Sequence, residues 1–300
     1  AAGLGSLLLI FGLPQVFGAS AYLLASGVLA VTCLVILCQQ PALFMGTMLF
    51  GALAWFAGNL LWLLDGAVSE LVGWWLVFLI LTIAGERLEM SRLLPRKAGG
   101  EMLFIFGIGL LAVGARNGLK TENGATLFGL GLLAAAVWLL RHDIARRTVR
   151  QGGQTRFFAI CMLLGYAWLG FAGFALLLHA PAATAFGYDI ALHAVLLGFV
   201  ISMVFGHALI ILPAVTQWRV VYNPLLYVPL AVLHAAMLLR AVSGMADWTF
   251  LRQISGPLAM LAIISFMVVM AVTTWRARRQ PPGSQAAGLP RGSELPSARS

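Results

Sequence analysis

The chain has 300 residues, of which 61% are hydrophobic and only 10% are charged, and its formal net charge is +9. Soluble domains usually have about a quarter of their residues charged, so this composition excludes an ordinary water-soluble domain and favours one polytopic membrane domain. The apolar runs are long and continuous, which favours helices over a β-barrel. The basic residues lie in short loops and in the tail, a distribution that excludes a nucleic-acid-binding face.

Apolar runs bounded by glycine, proline and charged residues predict an all-α, polytopic transmembrane helical bundle of about ten spans. The predicted spans are 3–17, 19–38, 41–64, 70–90, 100–115, 124–141, 156–179, 188–215, 224–242 and 253–276. The first and fifth are short for a bilayer that needs about 20 residues per helix. The first also contains Pro14, and since the chain begins without Met, this span is expected to be either incomplete or processed.

Lys and Arg fall mainly in alternate loops, and this bias predicts the orientation of the bundle. The richer set is Arg92, Arg96, Lys97, Arg146, Arg147, Arg150, Arg219, Arg276, Arg278 and Arg279; the other set is Arg116, Lys120, Arg240 and Arg252. The richer set is expected in the cytoplasm, which puts both termini inside a bacterial inner membrane. The predicted transmembrane domain is therefore 1–279, followed by a disordered cytoplasmic tail at 280–300.

Four histidines lie where metal ligands are expected. His193 and His207 are fourteen residues apart in the predicted eighth span. At about 100° per residue they come to within roughly 40° of a whole number of turns, so both should face one side, about 21 Å apart. His234, on the ninth span, is expected at the depth of His207. His179 ends the seventh span on the outer side, near His193.

Ionisable side chains inside a bilayer are costly, so these positions suggest function. Neutral imidazole is the commonest metal ligand, and two histidines from neighbouring spans can fill both axial positions of a b-type haem. We therefore predict that His207 and His234 share one metal centre and that His193 serves a second, outer site. The alternative is that each histidine is a hydrogen-bonded core residue, which applies most to His179.

Small residues in the eighth span predict close helix packing. Gly198, Ser202 and Gly206 are spaced at i, i+4 and i+8, and such ridges let helix backbones approach closely in lipid. Met203 offers a thioether that suits copper, although methionine in a membrane helix is usually a packing residue. The ridge is expected to clamp a neighbouring helix while the opposite face meets a cofactor.

The same span resembles a known family. It reads His193-Ala-Val-Leu-Leu-Gly198-Phe-Val-Ile-Ser-Met203-Val-Phe-Gly206, which is similar to the central motif of the NnrS family. Those polytopic membrane proteins are associated with haem, copper and tolerance of nitric oxide. The resemblance covers one predicted helix and implies a haem- or copper-associated role for His193, Gly198, Met203 and Gly206. The hypotheses for His207 and His234 rest on helix geometry alone.

A charged cluster ends the predicted fourth span. Glu86, Arg87, Glu89 and Arg92 follow a strongly apolar run. One interpretation is an ordinary interfacial cap, in which Glu89 and Arg92 pair on one helix face. The functional interpretation is that Glu86 and Arg87 turn into the bundle, where Arg87 holds a haem propionate or Glu86 passes protons from the cytoplasm.

These features favour a membrane metalloprotein that binds b-type haem, with copper as a further candidate, and that acts in electron transfer, small-gas chemistry or sensing. One alternative is a proton- or substrate-coupled transporter. Another is a colourless scaffold subunit of a larger membrane complex. The expected partners are the lipid bilayer and other subunits of such a complex. No Walker-type loop, dinucleotide-binding glycine motif or CxxCH haem-attachment motif occurs in the sequence, and whether the protein is an enzyme stays open.

Overall fold

The computed structural model describes residues 1–91, 100–178, 185–217, 220–246 and 248–279. Within these ranges the chain is helical and contains no β-strand, which confirms the predicted all-α bundle. The predicted tail at 280–300 lies outside the described residues.

Twelve α-helices and two short helical segments of other types make up the described chain. The α-helices are α1 Ala2–Ile10, α2 Gln15–Gln39, α3 Leu43–Leu63, α4 Val68–Ser91, α5 Gly100–Asn117, α6 Glu122–His142, α7 Ala145–Thr148, α8 Gly153–Leu178, α9 Ala185–His193, α10 Ser202–Thr216, α11 Tyr227–Met245 and α12 Thr249–Arg279. A π-helical segment, Ala194–Ile201, joins α9 to α10, and a 3₁₀ turn, Pro224–Leu226, precedes α11.

Nine of the helices in the described ranges are long and apolar enough to cross a membrane, with α9, the π-helical segment and α10 together forming one of them. The predicted first span, 3–17, is the one that differs. There α1 has only nine residues, fewer than a bilayer requires. The break follows from the local sequence, because Gly12 has a φ of 74° and Pro14, which lacks an amide hydrogen, stands immediately before α2.

The main core lies among helices α4 to α12, where the buried apolar side chains form one continuous cluster. Glycine contacts bring neighbouring helices together. A Cβ added to Gly173 of α8 would lie 2.7 Å from the carbonyl oxygen of Gly129 on α6, so the two backbones touch there. Such contacts are the main source of helix association in lipid, where apolar burial contributes little. Helices α2 and α3 share a much smaller cluster around Cys33 and Ala52.

The span that carries His193 and His207 is not a continuous α-helix. The π-helical segment begins directly after His193 and ends before Ser202. A π-helix pairs residue i with i+5 and has more residues per turn than an α-helix. The expectation that both imidazoles face one side used 100° per residue throughout, so its premise is wrong for this span.

The predicted packing ridge is confirmed, and its partner is α8. A Cβ on Gly198 would lie 2.5 Å from Cγ of Trp168, and a Cβ on Gly206 would lie 2.9 Å from Cε of Met162. Ser202, between the two glycines, is fully buried. The ridge therefore fixes the distance of the π-helical segment and of α10 from α8.

Gly198→Ala should destabilise the protein, because the added methyl overlaps the Trp168 ring. Overpacking of this kind costs about 1–3 kcal/mol, and the apparent melting temperature in detergent should fall. Gly109→Ala is the matched control, since a Cβ there meets nothing within 4 Å and alanine in an open helical position is favourable by about 0.5–1 kcal/mol. Equal melting temperatures for the two variants would contradict the close contact with Trp168.

Candidate functional site: a buried charge cluster at the end of α4

Arg87 enters the bundle from the last turns of α4. Only 3% of its side chain is exposed, whereas 43% of the neighbouring Glu86 side chain is exposed. A carboxylate oxygen of Glu86 and Nη2 of Arg87 form a close ion pair. The charged end of the predicted fourth span is thus more than an interfacial cap, because it places a permanent positive charge inside the protein.

His207 of α10 meets this ion pair with one ring nitrogen. Its Nδ1 lies 2.7 Å from the carbonyl oxygen of Met203; since a carbonyl can only accept, Nδ1 carries a proton. Its Nε2 lies 3.0 Å from Nη2 of Arg87 and 3.1 Å from Oε1 of Glu86. A neutral ring accepts a hydrogen bond from Arg87, and a protonated ring donates one to Glu86. Both protonation states of His207 therefore have a partner in place.

Asp143 supplies a second buried carboxylate beside Arg87. It follows α6 directly, and its Oδ1 accepts a hydrogen bond of 2.6 Å from the backbone amide of Ala145. The hydroxyl of Tyr166 donates to Oδ2 at 2.5 Å, and Nη1 of Arg87 lies 4.0 Å from the same oxygen. Both oxygens of Asp143 are thus already engaged, and its ion pair with Arg87 is the longer of the two.

We call Glu86, Arg87, Asp143, Tyr166 and His207 the inner cluster. With both carboxylates ionised and His207 neutral, its formal charge is −1, and protonation of His207 or Glu86 brings it to zero. Buried charges are costly unless balanced, and among these charged groups the Glu86 carboxylate is the one that is partly exposed.

The ring of Phe158 on α8 forms an apolar wall of this cluster. The Arg87 guanidinium carbon lies 5.3 Å from the ring centroid, and the His207 ring meets Phe158 edge to face at 4.9 Å. One polar group is left over: among the described residues, Nε of Arg87 has no hydrogen-bond partner although it is buried.

His234 belongs to a different network. The indole nitrogen of Trp168 donates to its Nδ1 at 2.8 Å. The neutral ring therefore carries its proton on Nε2, which lies 3.5 Å from Oγ of Ser202, and Ser202 in turn donates to the carbonyl of Gly198 at 2.6 Å. These bonds do not fit a metal or haem shared by His207 and His234, because neither ring nitrogen of His234 keeps a free lone pair.

His193 lies in an outer group with Asp189 and Arg240. Its Nδ1 is 2.8 Å from the carbonyl oxygen and 3.3 Å from Oδ1 of Asp189. Two hydrogen bonds, of 2.8 and 3.2 Å, join Arg240 to the Asp189 carboxylate. Within the described part of the chain the other nitrogen, Nε2, has no hydrogen bond, so the His193 ring keeps a free lone pair there, as the buried Nε2 of His142 also does.

The remaining predicted site residues lie elsewhere. Met203 packs against α8, where a Cβ on Gly165 would be 2.5 Å from its Cε. Glu89 is exposed, while its predicted partner Arg92 and the predicted ligand His179 lie outside the described residues. In the part of the chain that the structure describes, no three His, Cys, Asp or Glu side chains are grouped to hold a metal.

Sequence reasoning missed Asp143 and Tyr166. Asp143 stands in a basic loop next to His142, where a solvated carboxylate is the ordinary expectation. The available signal was a tyrosine within the apolar run of α8, because a buried phenol needs a polar partner.

Trp168→Phe should destabilise the protein, because it leaves Nδ1 of His234 buried without its donor. An unsatisfied buried acceptor costs about 1–3 kcal/mol, measurable as a lower melting temperature in detergent. Trp248→Phe serves as the control, since Trp248 is 55% exposed and its loss should change little. If Trp168→Phe is as stable as the control, the assigned hydrogen bond does not hold His234.

Comparison with known proteins gives a family but no described activity. No curated protein and no solved structure matches the chain. A family model described as a domain of unknown function, DUF8744, matches residues 1–275 and so covers every candidate site residue above. The chain belongs to the DUF8744 family.

Proposed function

We propose that the protein is a proton-coupled transporter of the bacterial inner membrane and that the inner cluster is its proton-binding site. The observation that carries the proposal is the position of His207 Nε2, within hydrogen-bond distance of both Arg87 and Glu86. His207 can gain or lose a proton at Nε2 and keep a hydrogen-bond partner in both states. The site can therefore bind and release a proton reversibly.

The exposure of Glu86 supports a route for the proton. Its side chain is 43% exposed, whereas that of His207 is 11% exposed, so the carboxylate connects the buried ring to the outside of the bundle. The charge bias of the loops predicts that this end faces the cytoplasm. A scaffold subunit would need no such arrangement, because buried ionisable groups are costly and mark ion or proton pathways in membrane proteins.

Proton flux into proteoliposomes tests this proposal. Purified protein is reconstituted with a pH-sensitive dye inside, and an inward pH gradient drives proton entry, with valinomycin and equal potassium concentrations on both sides to hold the membrane potential at zero. Glu86→Gln and His207→Gln should each reduce the protein-dependent flux by more than about tenfold, because each removes a proton-binding group from the relay.

Glu89→Gln is the matched control, since Glu89 lies three residues further along α4 and is exposed. Its flux should equal that of the unaltered protein. A flux that is the same in all three variants, or absent from the unaltered protein under every gradient, would overturn the proposed proton site.

The orientation is tested by cysteine labelling in a background without the three native cysteines. A membrane-impermeant maleimide added to intact cells should label Met245→Cys and should leave Gln151→Cys unlabelled until the cells are opened. Both positions are exposed, so access depends on the side of the membrane. Labelling of position 151 in intact cells would show that the orientation is the reverse of the predicted one.

Metal binding at His193 is the second candidate function. Its Nδ1 is held by Asp189, as the second nitrogen of a metal-ligating histidine usually is, and Nε2 keeps its lone pair. The resemblance to the NnrS family favours haem or copper as the group. A b-type haem would supply electron-transfer or gas-binding chemistry. The purified protein should then show a Soret band or bound copper that His193→Ala removes; a colourless, metal-free protein would contradict this candidate.

A further inference from the structure

We infer that the inner cluster also binds the transported substrate, and that this substrate is a small anion bearing a carboxylate, which takes the place of Glu86 on Arg87. The inference rests on the proposed proton-coupled function and adds the chemical class of the cargo. Its starting point is the incomplete pairing of the Arg87 guanidinium.

Arg87 needs an anion at all times, because its guanidinium cannot be deprotonated in a protein and only 3% of the side chain is exposed. Asp143 provides only part of that charge balance. It lies 4.0 Å away, and its oxygens already accept hydrogen bonds from Tyr166 and from the Ala145 amide. Glu86 is therefore the anion in direct contact with Arg87 among the described residues.

Two features allow the Glu86 carboxylate to move away from Arg87. It adjoins Arg87 in sequence, and adjacent residues on a helix do not face one another, so the contact relies on side-chain reach along α4. Its carboxylate is also partly exposed and can turn towards water. The space it vacates lies beside Arg87 and His207, and both of these side chains also contact the Phe158 ring.

The free donor on Arg87 indicates the shape of the replacement. Glu86 and His207 both contact Nη2, whereas Nε has no partner in the described part of the chain. A carboxylate binds guanidinium best with two parallel hydrogen bonds, and the Nε–Nη2 edge offers two N–H groups for this. A substrate carboxylate can use both, whereas the Glu86 carboxylate uses one.

Protonation of Glu86 couples proton uptake to binding of the substrate anion. When Glu86 takes up a proton, directly or through His207, it loses its charge and its hold on Arg87. Binding of one substrate carboxylate restores that charge, so proton plus anion leave the net charge of the cluster unchanged. Among the described residues, the ionisable and charged groups around Glu86 are Arg87 on its own helix and His207, Asp143 and Tyr166 on the elements packed against it. The exchange leaves Asp143 and Tyr166 in place.

Formate binding to the purified full-length protein in detergent tests the inference. Formate stays ionised at both about pH 5 and about pH 7.5, and chloride at the same ionic strength controls for screening. In calorimetric titrations the unaltered protein should bind formate at least about tenfold more tightly at the acidic pH. Glu86→Gln, which mimics the protonated carboxyl, should bind equally well at both pH values.

Two further variants complete the design. Arg87→Lys keeps the charge but removes the paired donors, so it should lose most of the binding. Glu89→Gln should retain the pH dependence of the unaltered protein. The melting temperature of each variant without formate shows that it is folded. If Arg87→Lys does not fold, the comparison of Glu86→Gln with Glu89→Gln decides the question alone.

Failure of this inference is distinguishable from failure of the proposed function. A folded Glu86→Gln protein that binds no formate at either pH, or that keeps the pH dependence of the unaltered protein, overturns the anion site. If proteoliposomes nevertheless show Glu86-dependent proton flux, the proton site stands without it. If formate binds as expected but the proteoliposomes show no protein-dependent proton flux under a pH gradient even with formate present, the anion site stands and coupled transport is overturned.

Discussion

The need of a buried guanidinium for opposite charge determines the arrangement at the end of α4. Arg87 carries its charge at all accessible pH values, and in the interior an uncompensated charge of this kind is strongly destabilising. Glu86, Asp143 and His207 gather around it from α4, from the end of α6 and from α10, and Tyr166 of α8 fixes Asp143. Arg87 and its partners thus connect four helices. The partners differ in exposure, because the Glu86 side chain is 43% exposed and that of Asp143 is 2% exposed.

Helix packing supports this arrangement from a distance. The ridge of Gly198, Ser202 and Gly206 holds α10 close to α8, and α8 carries Phe158, the wall of the inner cluster. Trp168, also on α8, packs against Gly198 within the π-helical segment and donates a hydrogen bond to His234. Rare π-helical turns occur frequently at functional sites, and this one separates the outer group around Asp189 from the inner cluster on one continuous span.

The amino-acid sequence predicted much of the fold and a smaller part of the site. Long apolar runs identified nine of the ten predicted spans, because hydrocarbon length is a strong constraint; the first was wrong because Gly12 and Pro14 break it. The ridge was also predictable from spacing, whereas the inward turn of Arg87 was one of two interpretations that the charge pattern left open. The partners of His207 and His234 were not, since a π-helical segment changes the angle between helix faces, and Asp143 lies in a loop whose burial depends on contacts far apart in sequence.

The central claim, that the inner cluster gains and loses a proton at Glu86 and His207, is tested most directly by infrared difference spectroscopy of the purified protein during acidification. The account predicts a protonated-carboxyl band or an imidazolium signal that disappears in Glu86→Gln together with His207→Gln and persists in Glu89→Gln. A spectrum that is identical in the double variant and the unaltered protein would show that the cluster holds no exchangeable proton, and would contradict the account.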